Sequence, residues 1–312
     1  MTSLCTATEL RAVSGDAALI AYLRALRGQG VVDSVFQRTV NVLMPDERLV
    51  ALVARGGGDA PRTLVTDADD WSGRGISAGR AVEFTPGVIT VRTADAHLRV
   101  HTEGADEWHP ILPSLAALGP GDLEAAASAL DRLIQAHGSR GGMLGPTPTA
   151  SSMEAAVTRA LADGREALVR AITSADDDAI RRGVLSLLGL GPGLTPAGDD
   201  FLTAPALLSS LHGSGLSAFG RALQDVLLEH PGRTTRLSVT TLDEALAGRA
   251  RASLLDVLHA LAHPSGWSEA RATESVRTSV RHVLAIGHTS GTDILSGLVT
   301  GLRLEKEVRG SL

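Results

Sequence analysis

The chain has 312 residues, 44% of them hydrophobic and 21% charged, and its 29 Lys and Arg against 35 Asp and Glu give a net charge of −6. That length allows two domains with substantial cores, and that composition describes an ordinary globular protein rather than a disordered one. Charges of both signs are interspersed and aromatic residues make up only 3%, so the basic stripes and stacking platforms of nucleic-acid binders are missing.

The N-terminus, "MTSLCTATELRAVSG", lacks the charged-then-apolar build of a signal peptide. Its Cys5 is the only cysteine, which excludes an internal disulfide and a cysteine-based metal site and reads as an incidental thiol. No apolar run approaches the ~18–20 residues that span a bilayer. The expectation is a cytoplasmic protein with no membrane partner.

Helical spacing comes first, in "DAALIAYLRALRG" (16–28), which stops at Gly28. Short β-like runs follow: "VVDSVFQRTVNVLM" (31–44), "RLVALVA" (48–54), "RTLVT" (62–66), "AVEFT" (81–85), "VITVRT" (88–93) and "AHLRVHT" (96–102). Gly, Pro and Asp turns separate them, so they read as strands of a barrel- or sandwich-like domain with a helix in front. Near residue 113 the texture changes. "GDLEAAASALDRLIQAHG" (121–138) is helical, and "GSRGGMLGPTPTA" (138–150) reads as a flexible or irregular segment. Apolar residues then recur at helical spacing in 151–172, 176–188, 215–229, 240–262, 268–286 and 292–304. Ser174 is the expected N-cap of the second of these, with acids in the first turn. The fold class is therefore α+β: a β-rich domain over 1–112, then a mostly helical domain over 113–312. No internal repeat is evident.

Three polar stretches interrupt the helical half. "GLGPGLTPAGDD" (189–200) packs four glycines and two prolines into twelve positions and ends in Asp199 and Asp200. Such a run is a shaped loop, since glycine reaches φ > 0 and proline removes a donor. Its candidate ligands are Gly191, Gly193 and Thr195. "HPGRTTRLSVTTLDEALAGRA" (230–250) offers Arg233, Thr234, Thr235 and Ser238 just before a helix, and "AIGHTSGTDILSGLVTG" (285–301) offers His288, Thr289, Ser290 and Asp293. The first and third share a design: an apolar lead-in, a Gly-bounded turn with Thr, then Asp at or near a helix start. Helix N-termini expose backbone N–H groups and suit anions.

Two readings of the acids stay open. Asp at a helix start is a routine cap. Adjacent helical residues also point about 100° apart, so one acid can brace the loop while the other faces a ligand or metal. His288 is open in the same way, as a structural histidine or as a proton carrier. Pro205 lies too deep in the following helix for N1 and predicts a kink or a late helix start. Walker A, GxSxG, HExxH and CxxC signatures do not occur, and "GLGPG" matches a dinucleotide fingerprint poorly.

The three long motifs, "GLGPGLTPAGDDFL" (189–202), "TTRLSVTTLDEALAGR" (234–249) and "IGHTSGTDILSGLVTGL" (286–302), resemble those of the AllH-type subunit family of oxamate carbamoyltransferase. "VDSVFQRTVNV" (32–42) is similar to that family's N-terminal part. Departures are Ala197, where the family form has serine, and Pro205, where a small residue is common; neither touches the acids. The resemblance implies a carbamoyltransferase subunit of purine or allantoin nitrogen catabolism, in an assembly with FdrA-like and AllG-like subunits that exchanges oxalurate and phosphate for oxamate and carbamoyl phosphate; the alternatives are a non-catalytic small-anion-binding or scaffold subunit and a stand-alone enzyme acting on another carbamoyl or acyl phosphate. It does not carry over a catalytic residue. On chemistry alone, loop N–H groups, Thr195, Thr289, Ser290 and Arg233 suit a phosphate and a developing oxyanion, and Asp199, Asp200 or His288 suits proton handling. No cofactor is assigned, although the paired acids leave room for a divalent cation such as Mg2+.

Overall fold

The computed structural model describes residues 7–93, 96–262, 267–268 and 271–310, with the backbone alone at 267–268 and 271–272. Cys5 lies outside them. The chain divides into two compact units, Met1–Pro110 and Ile111–Leu312.

The first unit is a closed barrel. Eight strands follow in the order β5 (Thr63–Thr66), β4 (Leu49–Val53), β3 (Thr39–Leu43), β2 (Gly28–Val35), β6 (Ala81–Thr85), β7 (Val88–Arg92), β8 (His97–His101) and β1 (Ala7–Asp16), and β1 pairs again with β5. A short strand, β9 (Asp106–Trp108), extends the β8 side of β1. The alternation read in the sequence turns every second residue inward: Val82 pairs with Val91, Ile89 with Val100 and Phe84 with Ile89, and all five are buried. Closure depends on β1, which pairs parallel with β8 through Ala7–Arg11 and antiparallel with β5 through Ala12–Gly15, with an irregularity between Ala12 and Ser14. The expected leading helix is thus preceded by a strand. It is also shorter than expected: α1 spans Ala17–Leu23, and Gly28 already begins β2. Asp16 caps α1 through Ala18 N at 3.1 Å, and Leu19, Ile20 and Leu23 join the barrel core. The run 31–44 is not one strand but the β2–β3 hairpin.

The second unit is helical. Its helices are α2 (Pro120–His137), α3 (Ser152–Thr173), α4 (Asp177–Leu187), α5 (Ala197–Ser209), α6 (Ser217–Glu229), α7 (Arg236–Leu246), α8 (Ala252–Ala262), α9 (Glu274–Leu284) and α10 (Ser290–Gly310). Strands here are limited, among the described residues, to the pair Trp267–Ser268 and Arg271–Ala272. The run 240–262 is two helices, because the chain breaks at Gly248 with φ +76°. Ser174 ends α3 instead of capping α4. The cap is Asp176, whose carboxylate accepts from Ala179 N at 2.8 Å after Ala175 has turned at φ +52°.

α5 is buried from Ala197 to Leu208 and packs against α10. It starts at Ala197, so Pro205 delays nothing. Pro205 has no N–H to give the Phe201 carbonyl four residues back. α10 closes in at that point: a Cβ on Gly297 would overlap the Phe201 oxygen and lie 3.1 Å from Pro205 Cδ. The proline and the glycine together set how closely the two helices approach, about two turns below their N-termini.

Candidate functional site

The loop between α4 and α5 runs through Gly189, Gly191 and Gly193 at φ +74°, +125° and +96°, a course glycine follows without strain. It is closed from inside by Asp199. Oδ1 accepts the Gly189 N–H at 2.7 Å, and Oδ2 accepts the Thr234 hydroxyl. The first and second loops are therefore tied through one carboxylate. Thr235 adds a second tie: it caps α7 through Ser238 N at 3.1 Å and donates to the Leu194 carbonyl at 2.7 Å. Burial raises the Asp199 pKa, and Thr234, Gly189 and Ser238 pull it back. The buried Ser238 hydroxyl lies near that carboxylate without hydrogen-bond geometry to any partner.

The third loop joins the first through Thr195 Oγ1 and Ser290 Oγ, 3.1 Å apart. All three Gly/Thr stretches thus meet around the N-termini of α5 and α10. A fourth meets them too. The segment 138–150, expected to be flexible or irregular, is irregular, with no helix or strand, and its part 138–146 is clamped onto the first turns of α10: Ser139 N donates to Thr292 Oγ1 at 2.9 Å and Met143 N to Asp293 Oδ1 at 2.7 Å. Gly142 lies so close that a Cβ there would overlap the Asp293 carboxylate.

α4–loop–α5 and α9–loop–α10 are local copies of one another. In each, a first-turn glycine lies against the end of the preceding helix: a Cβ on Gly198 would overlap the Leu187 carbonyl, and one on Gly291 the Val283 carbonyl. Two residues after each glycine stands an acid, Asp200 in one copy and Asp293 in the other.

These two acids differ from the other buried carboxylates among the described residues. Asp16 uses both oxygens on the Ala18 and Arg62 amides. Asp199 uses both as above, and Glu305 uses both on Ser214, Gly215 and Arg309. Asp200, only 6% exposed, and Asp293, at 0%, each keep Oδ2 buried and without a partner. Burial pushes the Asp200 pKa up to about 7, aided by the Asp293 charge and opposed by the hydroxyls of Ser290 and Thr195. Burial likewise raises Asp293 to about 6, against the Met143 amide and the Thr289 hydroxyl. Buried polar atoms are almost always satisfied, so two orphaned carboxylate oxygens at equivalent positions make this place the candidate site.

One cation beside Asp200 escaped the sequence reading. Arg251 directly precedes α8 and is accessible to solvent. It makes no side-chain hydrogen bond or ion pair among the described residues. Although the residue is exposed, desolvation by the protein around its guanidinium lowers its pKa while the Asp200 charge raises it, and an arginine stays protonated throughout. No cap or spacing signal distinguishes "GRARASLL" (248–255) from a plain helix start.

The remaining candidates divide by place. Gly193 is exposed with open space around its Cα, and Gly191 packs against the start of α5. Arg233 is exposed and reaches only the Leu185 carbonyl, at 3.4 Å. His288 sits in the third loop, exposed and outside the hydrogen-bond network that joins the loops.

Residues 187–302 match the family described as oxamate carbamoyltransferase subunit AllH, and residues 11–107 match the AllH family N-terminal domain. The chain belongs to the AllH family. In this AllH-family chain the first match spans all three motif loops, Arg251 and both orphaned acids, and the second spans most of the barrel. The clamped segment 138–146 lies outside both. The family is described as a carbamoyltransferase subunit, which implies partner subunits. No solved structure matches the chain. No helix among the described residues is long and apolar enough to cross a membrane.

Proposed function

We propose that this chain is the subunit of a carbamoyltransferase assembly that binds the reacting molecules between the N-termini of α5 and α10. In that assembly oxalurate and phosphate are interconverted with oxamate and carbamoyl phosphate, within purine or allantoin nitrogen catabolism and together with FdrA-like and AllG-like subunits. The observation that carries this reading is the pair of orphaned carboxylates, Asp200 and Asp293, in a cradle of glycine-loop backbone beside an unpartnered arginine.

The chemistry of transfer asks for three things: a hold on an anionic group, donors for the oxyanion that develops on the carbamoyl carbonyl, and acceptors for amide N–H groups. Arg251 supplies a charged donor for a phosphate or carboxylate. The loop around Gly191 and Gly193 and the first turns of two helices supply backbone N–H groups. Asp200 is the acid that faces the reacting molecule, and Asp199 holds the loop that shapes the site. His288, outside the network and exposed, serves at the rim.

The test is reconstitution. Oxalurate phosphorolysis, followed by carbamoyl phosphate formation, is measured with this chain and both partner subunits, and with each left out in turn. Turnover that requires this chain supports the reading. Full turnover by the partners alone reduces it to a scaffold and overturns the assignment.

A further inference from the structure

The orphaned acids carry a second inference, which rests on reading the converging loops as one ligand site. We propose that Asp200 and Asp293 together hold a hard divalent cation of the Mg2+ class between the N-termini of α5 and α10.

Five buried carboxylates occur among the described residues, and three have both oxygens engaged by protein donors. The two exceptions occupy equivalent positions on paired helices, and each leaves one carboxylate oxygen buried and bare. The Asp293 charge also raises the cost of ionising Asp200. Buried charges persist in proteins when they are paired or coordinate a metal. Arg251, the cation beside Asp200, hydrogen-bonds to neither acid, so neither oxygen is satisfied by it.

The donor set selects the class of cation. Among the described residues no group of three or more His, Cys, Asp or Glu could enclose a metal, which argues against a caged zinc or calcium site. Two carboxylates are what Mg2+ commonly takes from protein, the rest of its octahedron being water and substrate phosphate oxygens. The hydroxyls of Thr195 and Ser290, 3.1 Å apart beside Asp200, suit the bound waters. A phosphate held by Arg251 would complete the shell, and the cation would draw charge from the same phosphate.

The experiment uses the full chain without partners, so its outcome is independent of turnover. Mn2+ is titrated as the paramagnetic stand-in, with and without inorganic phosphate, and binding is read by electron paramagnetic resonance and by competition with Mg2+. The expected result is one site, competed by Mg2+ and tightened by phosphate. Its affinity should fall at least about tenfold in Asp200→Asn and in Asp293→Asn, a loss of the size expected when metal-site residues are altered. A second readout needs no variant. The chain has 4 methionines, and Met143 donates its amide to Asp293, so with methyl-13C methionine bound Mn2+ should broaden the Met143 signal first. Absence of a site with and without phosphate, undiminished affinity in both variants, or broadening that spares Met143 would each overturn the proposal. None of these results would touch the carbamoyltransferase reading.

Discussion

At adjacent positions on the first turn of α5, Asp199 has both carboxylate oxygens taken by donors from two loops, whereas Asp200 keeps one oxygen buried and bare. Their substitutions should separate accordingly. Asp199→Asn keeps an acceptor for Gly189 N–H, and the Thr234 hydroxyl can turn to accept from the new amide, so stability and turnover should change little. Asp199→Ala strands both donors and should cost about 1–3 kcal/mol per unsatisfied group. Urea midpoints for the two variants check this, and equal midpoints would contradict the bracing role. Arg251 gives a second prediction. Arg251→Gln removes a charge-assisted hydrogen bond worth about 1.5–3 kcal/mol, so KM for the anionic substrate should rise roughly ten- to a hundredfold at an unchanged melting temperature. An unchanged KM would remove Arg251 from the site. In the sequence, helical geometry already splits the two adjacent acids, so that one can brace the loop while the other faces a ligand. Which one was illegible, since that choice is made by Thr234 and Ser290, 35 and 90 positions away.

The α5–α10 crossing makes its own test at the level of elements. With Gly297 against the Phe201 carbonyl that Pro205 leaves without a helical donor, Gly297→Ala forces the helices apart. It should cost about 1–3 kcal/mol, the range for overpacking a core, and a variant as stable as wild type would show the crossing to be loose. The clamp on residues 138–146 is tested by Gly142→Ala. The added Cβ displaces the Asp293 carboxylate, so hydrogen exchange at the Met143 amide should quicken, and unchanged protection would contradict the clamp. Six of the β runs and most helices were readable because each carries its own periodicity: "AVEFT" (81–85) and "VITVRT" (88–93) alternate, and "GDLEAAASALDRLIQAHG" (121–138) does not. β1 was missed because only Leu10 and Ala12 mark its inward face along Ala7–Val13, and its partners β8 and β5 lie far off in sequence. The segment 138–146 has the composition of a linker. Its order comes from bonds spanning 153 and 150 positions, which no local pattern displays.

On the scale of the whole molecule, the barrel core and the candidate site belong to different units. The barrel's buried cluster runs from Leu10 to Val100, while every residue of the candidate site lies beyond Pro110. We therefore expect residues 111–312, expressed alone, to give a cooperatively melting helical protein that keeps the Mn2+ site. A molten fragment would show that the second unit needs the first to fold. The likeness of α4–loop–α5 to α9–loop–α10 was legible as the shared loop design of an apolar lead-in, a Gly-bounded turn with Thr and an Asp near a helix start, but not as an internal repeat, because the flanking helices share no longer run of similar residues. The central claim remains that the orphaned acid on α5 faces the reacting molecule. It is tested most directly by carbamoyl phosphate formation from oxalurate in the reconstituted assembly carrying Asp200→Asn, with Asp199→Asn as its neighbouring control. Loss of a positioned acid–base or ligand group costs about 100-fold or more, so turnover should fall at least that far in Asp200→Asn, with an unchanged melting temperature and near-normal turnover in the control. Near-wild-type turnover in Asp200→Asn, in an assembly that depends on this chain, would contradict the account.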